Sequence, residues 1–309
     1  MPTVSVHIVT YNSAQYIRRC LESVFQQTHP ISQVIVIDNA STDSTFEIVK
    51  TMGNNIRLVR NETNTGFAPA HNQAMALSDS DYYLVLNPDV VLHQDYVASI
   101  IKQMERDDKI GSATGKLLLQ SDPTKVDSTG IVMNKARRAF DRGAGEDAER
   151  WNDSGEVFGV SGAAALYAKR MVDDIRVQGE FFDEDFFAYK EDVDVAWRAR
   201  LLGWKAYYVA DAIAYHVRGW KQGARSKQPL FVRRHSYINR YKMMYKNDSL
   251  SQIGRNVLHI IPYEIAGFAF ALFTEPGLLG AWRSFFKERP KLKQKRTHIQ
   301  QRQKARIKF

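Results

Sequence analysis

At 309 residues, 44% hydrophobic and 25% charged, the chain is long enough for one large domain with an appendage, or for two modest domains, each with a real core. Its net charge of +9 is unevenly spread: residues 1–211 carry 22 Lys and Arg against 30 Asp and Glu, residues 212–286 carry 11 against 3, and residues 287–309 carry 10 against 1. The acidic first two-thirds argues against a general nucleic-acid binder, the basic end calls for an anionic surface, and the single cysteine, Cys20, excludes an intrachain disulfide and points to a reducing compartment.

In chain order, "TVSVHIVTYN" predicts a strand that starts at once, without the basic region or cleavage site of a signal peptide. "SAQYIRRCLESVFQQ" predicts a helix with Ser13 as N-cap and Ile17, Leu21, Val24 and Phe25 on one face. "QVIVIDNAS" reads as a second strand ending in Asp38, "TDSTFEIVKTMG" as a helix closing at Gly53, and "IRLVRNE" as a third strand. A helix in "APAHNQAMALS" precedes the strand "YYLVLNPD". Strands separated by single helices predict an α/β fold with a mostly parallel, doubly wound sheet.

In such sheets ligands bind beyond the carboxyl ends of the strands. Those ends carry Thr10-Tyr11-Asn12, Asp38-Asn39 and Asn87-Pro88-Asp89, which favours a nucleotide-type pocket over three unrelated strand caps. The usual phosphate cradles are missing: "GSATGKLLL" has short glycine spacing and Leu117 where a P-loop needs Ser or Thr, and "GAGEDAE" lacks a third glycine. A bound diphosphate would then need a divalent metal held on carboxylates, with Asp89 as the first candidate.

Further on, "FFDEDFFAYKEDVDVAWRARLLGW" predicts a helix from Glu191, with Val193, Ala196, Trp197 and Leu201 as its apolar stripe and Gly203 as its end. Glu191, Asp192 and Asp194 fall in its first turn. They serve there either as dipole-compatible decoration or as a general base with a low pKa. The small residues of "GVSGAAALYAKR", Gly162 among them, permit close backbone approach to a ligand or tight packing. His216, after the strand-like "KAYYVADAIAY", is a structural histidine or, opposite Asp89, an imidazole ligand for Mn2+ or Mg2+. The loop bearing Arg218, Lys221, Arg225 and Lys227 is a solvated basic loop or one that closes over a diphosphate.

Taken together, "VHIVTYNS", "VIVIDNASTDST", "NTGFAPAHNQA", "YLVLNPDV", "GVSGAAALYAKR", "FFAYKEDVDVAWR" and the following "YH" fall in order across residues 4 to about 220. This ordered set resembles glycosyltransferase family 2, inverting enzymes of the GT-A fold, and within it the bacterial rhamnosyltransferase-type members. The resemblance implies that Thr10, Tyr11, Asn12 and Asp38 hold the nucleoside, Asp38 accepting from the pyrimidine ring N–H. It implies that Asn64, Gly66 and Phe67 line the donor pocket, with Asn87 beside the ribose. Asp89 and His216 would ligate the metal, Asp192 of the Glu191-Asp192 pair would be the base, and Gly162 with Arg218, Lys221 and Arg225 would meet the acceptor or diphosphate. Asn87 departs from the family's Asp-x-Asp and adds no charge toward the metal.

The activity so implied is transfer of a sugar, rhamnose from dTDP-rhamnose first, to a saccharide or polyprenyl-linked acceptor in bacterial surface-polysaccharide synthesis. The alternatives are a UDP-sugar donor (galactofuranose, GlcNAc or glucose) or a non-catalytic nucleotide-sugar or glycan binder. The catalytic domain is expected over 1–225 and a helical, basic extension over 226–309. Within the extension, "IAGFAFALF" is shorter than the ~20 apolar residues that span a bilayer. The extension is read either as a peripheral anchor on the anionic cytoplasmic face of the inner membrane or as a helical subdomain with a disordered basic tail. It lacks a fold for nucleic-acid recognition.

Overall fold

The computed structural model describes residues 1–53, 55–218 and 228–307. Four apolar runs form the parallel half of the sheet: β1 (Val4–Thr10), β2 (Gln33–Asp38), β3 (Ile56–Arg60) and β4 (Tyr82–Leu86). They are joined by α1 (Ile17–Phe25), α2 (Thr45–Thr51) and α3 (Phe67–Ala76). The chain continues through β5 (Val90–Leu92), α4 (Tyr96–Met104), β6 (Ile110–Leu119), β7 (Asp122–Ser128) and a small hairpin of β8 (Ile131–Met133) and β9 (Ala139–Asp141). Next come β10 (Gly155–Val157), β11 (Ala164–Ala168), α5 (Lys169–Ile175), α6 (Glu191–Leu201) and β12 (Lys205–His216).

The main sheet runs β10-β12-β6-β11-β4-β1-β2-β3, with β5 paired to β12 and β7 to β6. Strand β11 is antiparallel to both its neighbours, while β6 and β12 are parallel to each other. The sheet is therefore mixed but mostly parallel. Alternation along β4 shows why it is sandwiched: Tyr82, Leu84 and Leu86 face the cluster holding α1 and α4, and Tyr83 and Val85 face the one holding α5 and α6. Each fully buried aliphatic side chain of this kind stabilises by roughly 1.5–3 kcal/mol.

Two local expectations are corrected. Helix α1 starts at Ile17 with Tyr16 as its N-cap, because Ser13 turns the chain earlier: its carbonyl accepts from the Tyr16 and Ile17 N–H groups. Phe25 is exposed, since the buried stripe is centred on Ile17, Cys20, Leu21 and Val24 and leaves Phe25 at its margin.

The extension comprises α7 (Leu230–Asn247), α8 (Leu250–Arg255), α9 (Val257–Phe273) and α10 (Trp282–Arg302). The basic end is not a disordered tail. Helix α10 buries Phe285, Leu292, Lys295 and Ile299, and its cations meet the acidic core: Lys295 contacts Glu180, Asp183 and Asp185 at 2.6–2.8 Å, and Arg302 reaches Asp174 at 2.7 Å. Helix α7 joins the same seam through Lys246, which pairs with Asp183 and with Asp194. Buried Arg137 pairs with Asp248 just beyond α7, at 2.7 Å. Much of the anionic surface that the basic end requires is thus the protein's own. No single helix among the described residues is long and apolar enough to cross a membrane.

Candidate active site

The strand β4 stops at Asn87-Pro88-Asp89 because the chain changes partners there. The Asn87 N–H donates to the Ala163 carbonyl at 2.8 Å, and β5 then turns to pair with β12, placing His216 opposite Val90. The Val217 N–H donates to the Asp89 carbonyl at 3.0 Å. Residues far apart in sequence are thereby brought together, with Asp89 Oδ1 3.4 Å from His216 Nε2.

The other imidazole nitrogen, Nδ1, lies 2.8 Å from Asp127 Oδ2 at the end of β7. Burial opposes a charge on His216, but the hydrogen bonds and attraction of Asp127 and Asp89 outweigh it and raise its pKa to about 9. A carboxylate behind a histidine fixes the ring and its tautomer, as second partners of metal-ligating histidines do. Asp89 and His216 offer one hard oxygen and one imidazole nitrogen, a donor pair that fits Mn2+. No group of three or more His, Cys, Asp or Glu among the described residues forms a metal cluster. The pair therefore suits an ion whose remaining positions are filled by phosphate oxygens and water, the usual habit of such cations.

The second carboxylate group enters from α6. Before it, Phe187, Tyr189 and Lys190 adopt φ of 58°, 72° and 74°, a concentration of left-handed non-glycine backbone that is costly and belongs to over-determined sites. The segment is held from both sides: the Phe187 carbonyl accepts from Phe67 N–H at 2.7 Å, and the Asn239 amide donates to the carbonyls of Phe186, Ala188 and Tyr189. Gly66 must be glycine here, because its φ is +95° and a Cβ would lie 2.5 Å from the Phe187 oxygen.

Asp192 then accepts from Gly162 N–H at 3.2 Å and from Val193 N–H at 2.7 Å. Its pKa is raised, not lowered as its position in the first helical turn suggested. Burial outweighs Lys190 and the two N–H groups. Glu191 is pushed up further, to about 8, by burial and then by Asp192, and its Oε2 is buried without a hydrogen-bond partner among the described residues. Asp194 differs again. Burial works to raise it, but Lys246 and Arg198 hold it below the ordinary carboxylate range, so it serves the seam and not the cleft.

Phe67, Asn87, Asp89, Gly162, Glu191, Asp192, His216 and Arg218 line one cleft of about 870 Å³. A Cβ on Gly162 would meet Phe67 and Asp192 only at ordinary contact distances, so its specific service is the N–H to Asp192. The remaining predicted residues, Thr10, Tyr11, Asn12, Asp38, Asn64 and Gly66, lie outside that lining, around the ends of β1 and β2. Thr10 Oγ1 donates to Asp38 Oδ1 at 2.9 Å, and Ser41 N–H donates to Oδ2 at 3.1 Å. Asp38 Oδ2 also faces Arg60 Nε at 3.7 Å, and the Asp38 side chain is fully buried. Tyr11 is exposed. Asn12 is a clasp on the next loop, its side-chain oxygen accepting from Thr42 N–H at 2.8 Å, and Asn64 accepts from Gly66 N–H at 2.9 Å in the turn before α3.

Arg218 is not a free cation. It pairs with Asp127 at 3.0 Å and with Asp141. Lys221 and Arg225 lie outside the described residues. Asp127, which sequence reasoning missed, ends a strand in "KVDSTG", a pattern similar to the strand ends that did draw notice.

The sheet topology is that of a GT-A fold. The chain belongs to glycosyl transferase family 2, whose family model matches residues 5–175, more than half its length. It is 24% identical over 233 residues to poly-beta-1,6-N-acetyl-D-glucosamine synthase of Staphylococcus epidermidis, covering 73% of this chain and 54% of that one. The chain thus spans about half the length of this curated relative. Among solved structures it is similar to GalNAc-T7 with UDP, GalNAc and Mn2+ (TM-score 0.62, 14% identity, 80% of this chain and 48% of that one). It is also similar to the mannosyltransferase PcManGT of Pyrobaculum calidifontis in complex with GDP-Man and Mn2+ (TM-score 0.57, 19% identity, 94% and 75%).

Proposed function

We propose that the chain is an inverting glycosyltransferase that moves a sugar from a nucleotide-diphospho donor to an acceptor hydroxyl during polysaccharide synthesis. The observation that carries this is one cleft lined both by the Asp89–His216 pair and by Asp192, an ionisable carboxylate that no side-chain cation among the described residues contacts directly. Asp89 and His216 would hold a divalent cation, and that cation, when bound, neutralises charge developing on the departing diphosphate. Asp127 keeps His216 oriented for this task. Asp38 and Thr10 would bind the pyrimidine, Asp38 accepting from a ring N–H. Asp192 takes the proton of the acceptor hydroxyl as it attacks, in a single displacement that inverts the anomeric carbon. Gly162 and Val193 fix the carboxylate for that step.

The comparisons favour a UDP-linked sugar, and N-acetylhexosamine in particular, over dTDP-rhamnose. Asp38 reads uracil and thymine alike, since both present the same ring N–H, so rhamnose stays as the second donor reading. Thermal shift with a panel of nucleotide-sugars, with and without Mn2+, beside Asp89→Ala, tests this. Stabilisation by a UDP-sugar that needs metal and is lost in the variant is expected. A response confined to dTDP-rhamnose reverses the donor order. Slow donor hydrolysis without acceptor separates an enzyme from a binder, which leaves the donor intact.

A peripheral seat on an anionic bilayer belongs to the same reading. Leu258, Ile261, Ile265, Phe268 and Leu272 recur at helical spacing along one side of α9 and are all exposed, in a region of strong positive charge. Co-sedimentation with anionic but not zwitterionic vesicles is expected. Equal pelleting with both, or concentration-dependent dimers instead, rejects the seat.

A further inference from the structure

A second cleft, of about 200 Å³, adjoins the first and shares Ala139, Lys190 and Ser236 with it. Its far wall is α9, through Tyr263, Gly267 and Phe270. These three recur at intervals of four and three, on the side of the helix opposite the exposed Leu258–Leu272 stripe. Helix α9 thus closes the second cleft with one face and offers an apolar surface with the other.

The charge within this cleft is specific. Of its four cations, Arg137 is neutralised by Asp248 at 2.7 Å and Arg240 by Glu264 at 2.6 Å. Arg138 and Lys190 make no ion pair among the described residues. Arg138 is instead aligned by aromatic faces, its guanidinium 4.6 Å from the Phe140 ring centre and 5.0 Å from that of Tyr263. Ser236 and Tyr263 bring hydroxyl groups to the same walls. Two cations that make no ion pair among the described residues, Lys190 acting on Glu191 and Asp192 only at longer range and Arg138 a planar fork at the exposed rim, form with the neighbouring hydroxyl donors a receptor for a phosphate group. Lys190 stands two residues before Asp192, which ties this charge to the place where the acceptor hydroxyl is deprotonated.

We propose that the second cleft binds a phosphate carried by the acceptor, holding it between Arg138 and Lys190 while the acceptor's hydroxyl end enters the first cleft. This assignment of acceptor class rests on the sugar-transfer reading above. The phosphate belongs either to a lipid-borne acceptor, favoured by the apolar outer face of α9, or to a soluble sugar phosphate.

The test is calorimetric binding to the full chain in EDTA, so that the metal-dependent donor site does not compete. The probes are farnesyl phosphate, glucose 1-phosphate and farnesol. At least one phosphate probe is expected to bind at least tenfold more tightly than farnesol, and Arg138→Gln is expected to weaken it about tenfold. UDP binding with Mn2+ should be unchanged in that variant, which also shows that it folds. Preference for farnesyl phosphate identifies a lipid-borne acceptor, and preference for glucose 1-phosphate a soluble one. Equal binding of farnesol, indifference to Arg138→Gln, or loss of phosphate binding in Asp89→Ala overturns the proposal. Failure of UDP to bind with Mn2+ while phosphate binding persists overturns the transfer reading instead, and leaves the cleft as an anion site.

Discussion

The stretch from Asp183 to Asp194 supplies carboxylates to two regions that treat them in opposite ways. At the seam with the C-terminal helices, Asp183 meets Lys246 and Lys295, Asp185 meets Lys291 and Lys295, and Asp194 meets Arg198 and Lys246. In the cleft, Glu191 and Asp192 receive no such side-chain contact from the described residues, and burial raises both. Residue type and even helix are the same; Asp192 and Asp194 are two positions apart on α6. What separates structure from chemistry is where counter-charge is withheld. A buried carboxylate given cations becomes a fastener, and one given only N–H groups keeps the basicity that proton transfer needs.

The largest test of this contrast removes one carboxylate from each region. Asp192→Asn is expected to lower turnover by about 10²–10⁴, the usual contribution of a positioned base, with UDP binding within twofold of the parent. Its unfolding free energy should hold steady or rise, because a buried, under-compensated carboxylate has gone. In the seam, Lys246→Met leaves Asp183 and Asp194 short of a cation, and urea unfolding should report a loss of about 3–5 kcal/mol. A Lys246→Met protein as stable as the parent would show that the seam is not what fastens α7 to the core. A destabilised Asp192→Asn would place that residue among the fasteners.

A smaller effect is expected at Asp127, which has a foot in each camp: it is buried and paired, yet its partner His216 faces the cleft. Asp127→Asn keeps the size but weakens the hold on the imidazole. Titration with Mn2+ in the presence of UDP should show affinity reduced by about 10–100-fold, the cost typical of losing such a second partner. Unaltered Mn2+ affinity would mean that Asp127 serves only Arg218.

The sequence made one of these regions far more readable than the other. Strands β1 to β4 announce themselves as continuous apolar runs, and Asp38, Asn87 and Asp89 stand where such runs end, so that half of the site follows from local pattern. Asp127 and His216 meet only because β12 pairs with both β5 and β6 while β7 folds back on β6, and pairing across so many residues leaves no local trace. The burial of Lys246 and Lys295 was the least legible feature. Both sit in strongly basic stretches that read as solvated, and in α10 Lys295 lies on the buried stripe between Leu292 and Ile299. The carboxylates that justify its burial come from more than a hundred residues upstream. The low pKa expected of Asp192 failed for a related reason: helix position is local and visible, whereas desolvation by the surrounding chain is not.

The finest test uses pH, where the two regions act with opposite sign. The Glu191 carboxyl is raised in the fold from an ordinary 4.5 to about 8. Between those values the folded chain keeps a proton that the unfolded chain has released, so stability falls as pH rises through that window and levels off above it. Asp183 is held low: burial opposes this, but Lys246 and Lys295 prevail, so its contribution is complete above its ordinary 3.8 and is lost only as pH drops below that. From pH 5 to 8 the seam is therefore silent, and His7 and His71, whose pKa burial lowers, contribute alike to parent and variant, so the difference between the two reports the cleft. Glu191→Gln has no such proton to keep, and the slope of its unfolding free energy against pH should exceed the parent's across that range by at most one proton, or about 1.4 kcal/mol per pH unit. Urea titrations of parent and variant at pH 5, 6.5 and 8 give the two slopes directly. Parallel curves would mean that Glu191 is already ionised in the folded protein, and that the cleft compensates its carboxylates as fully as the seam does.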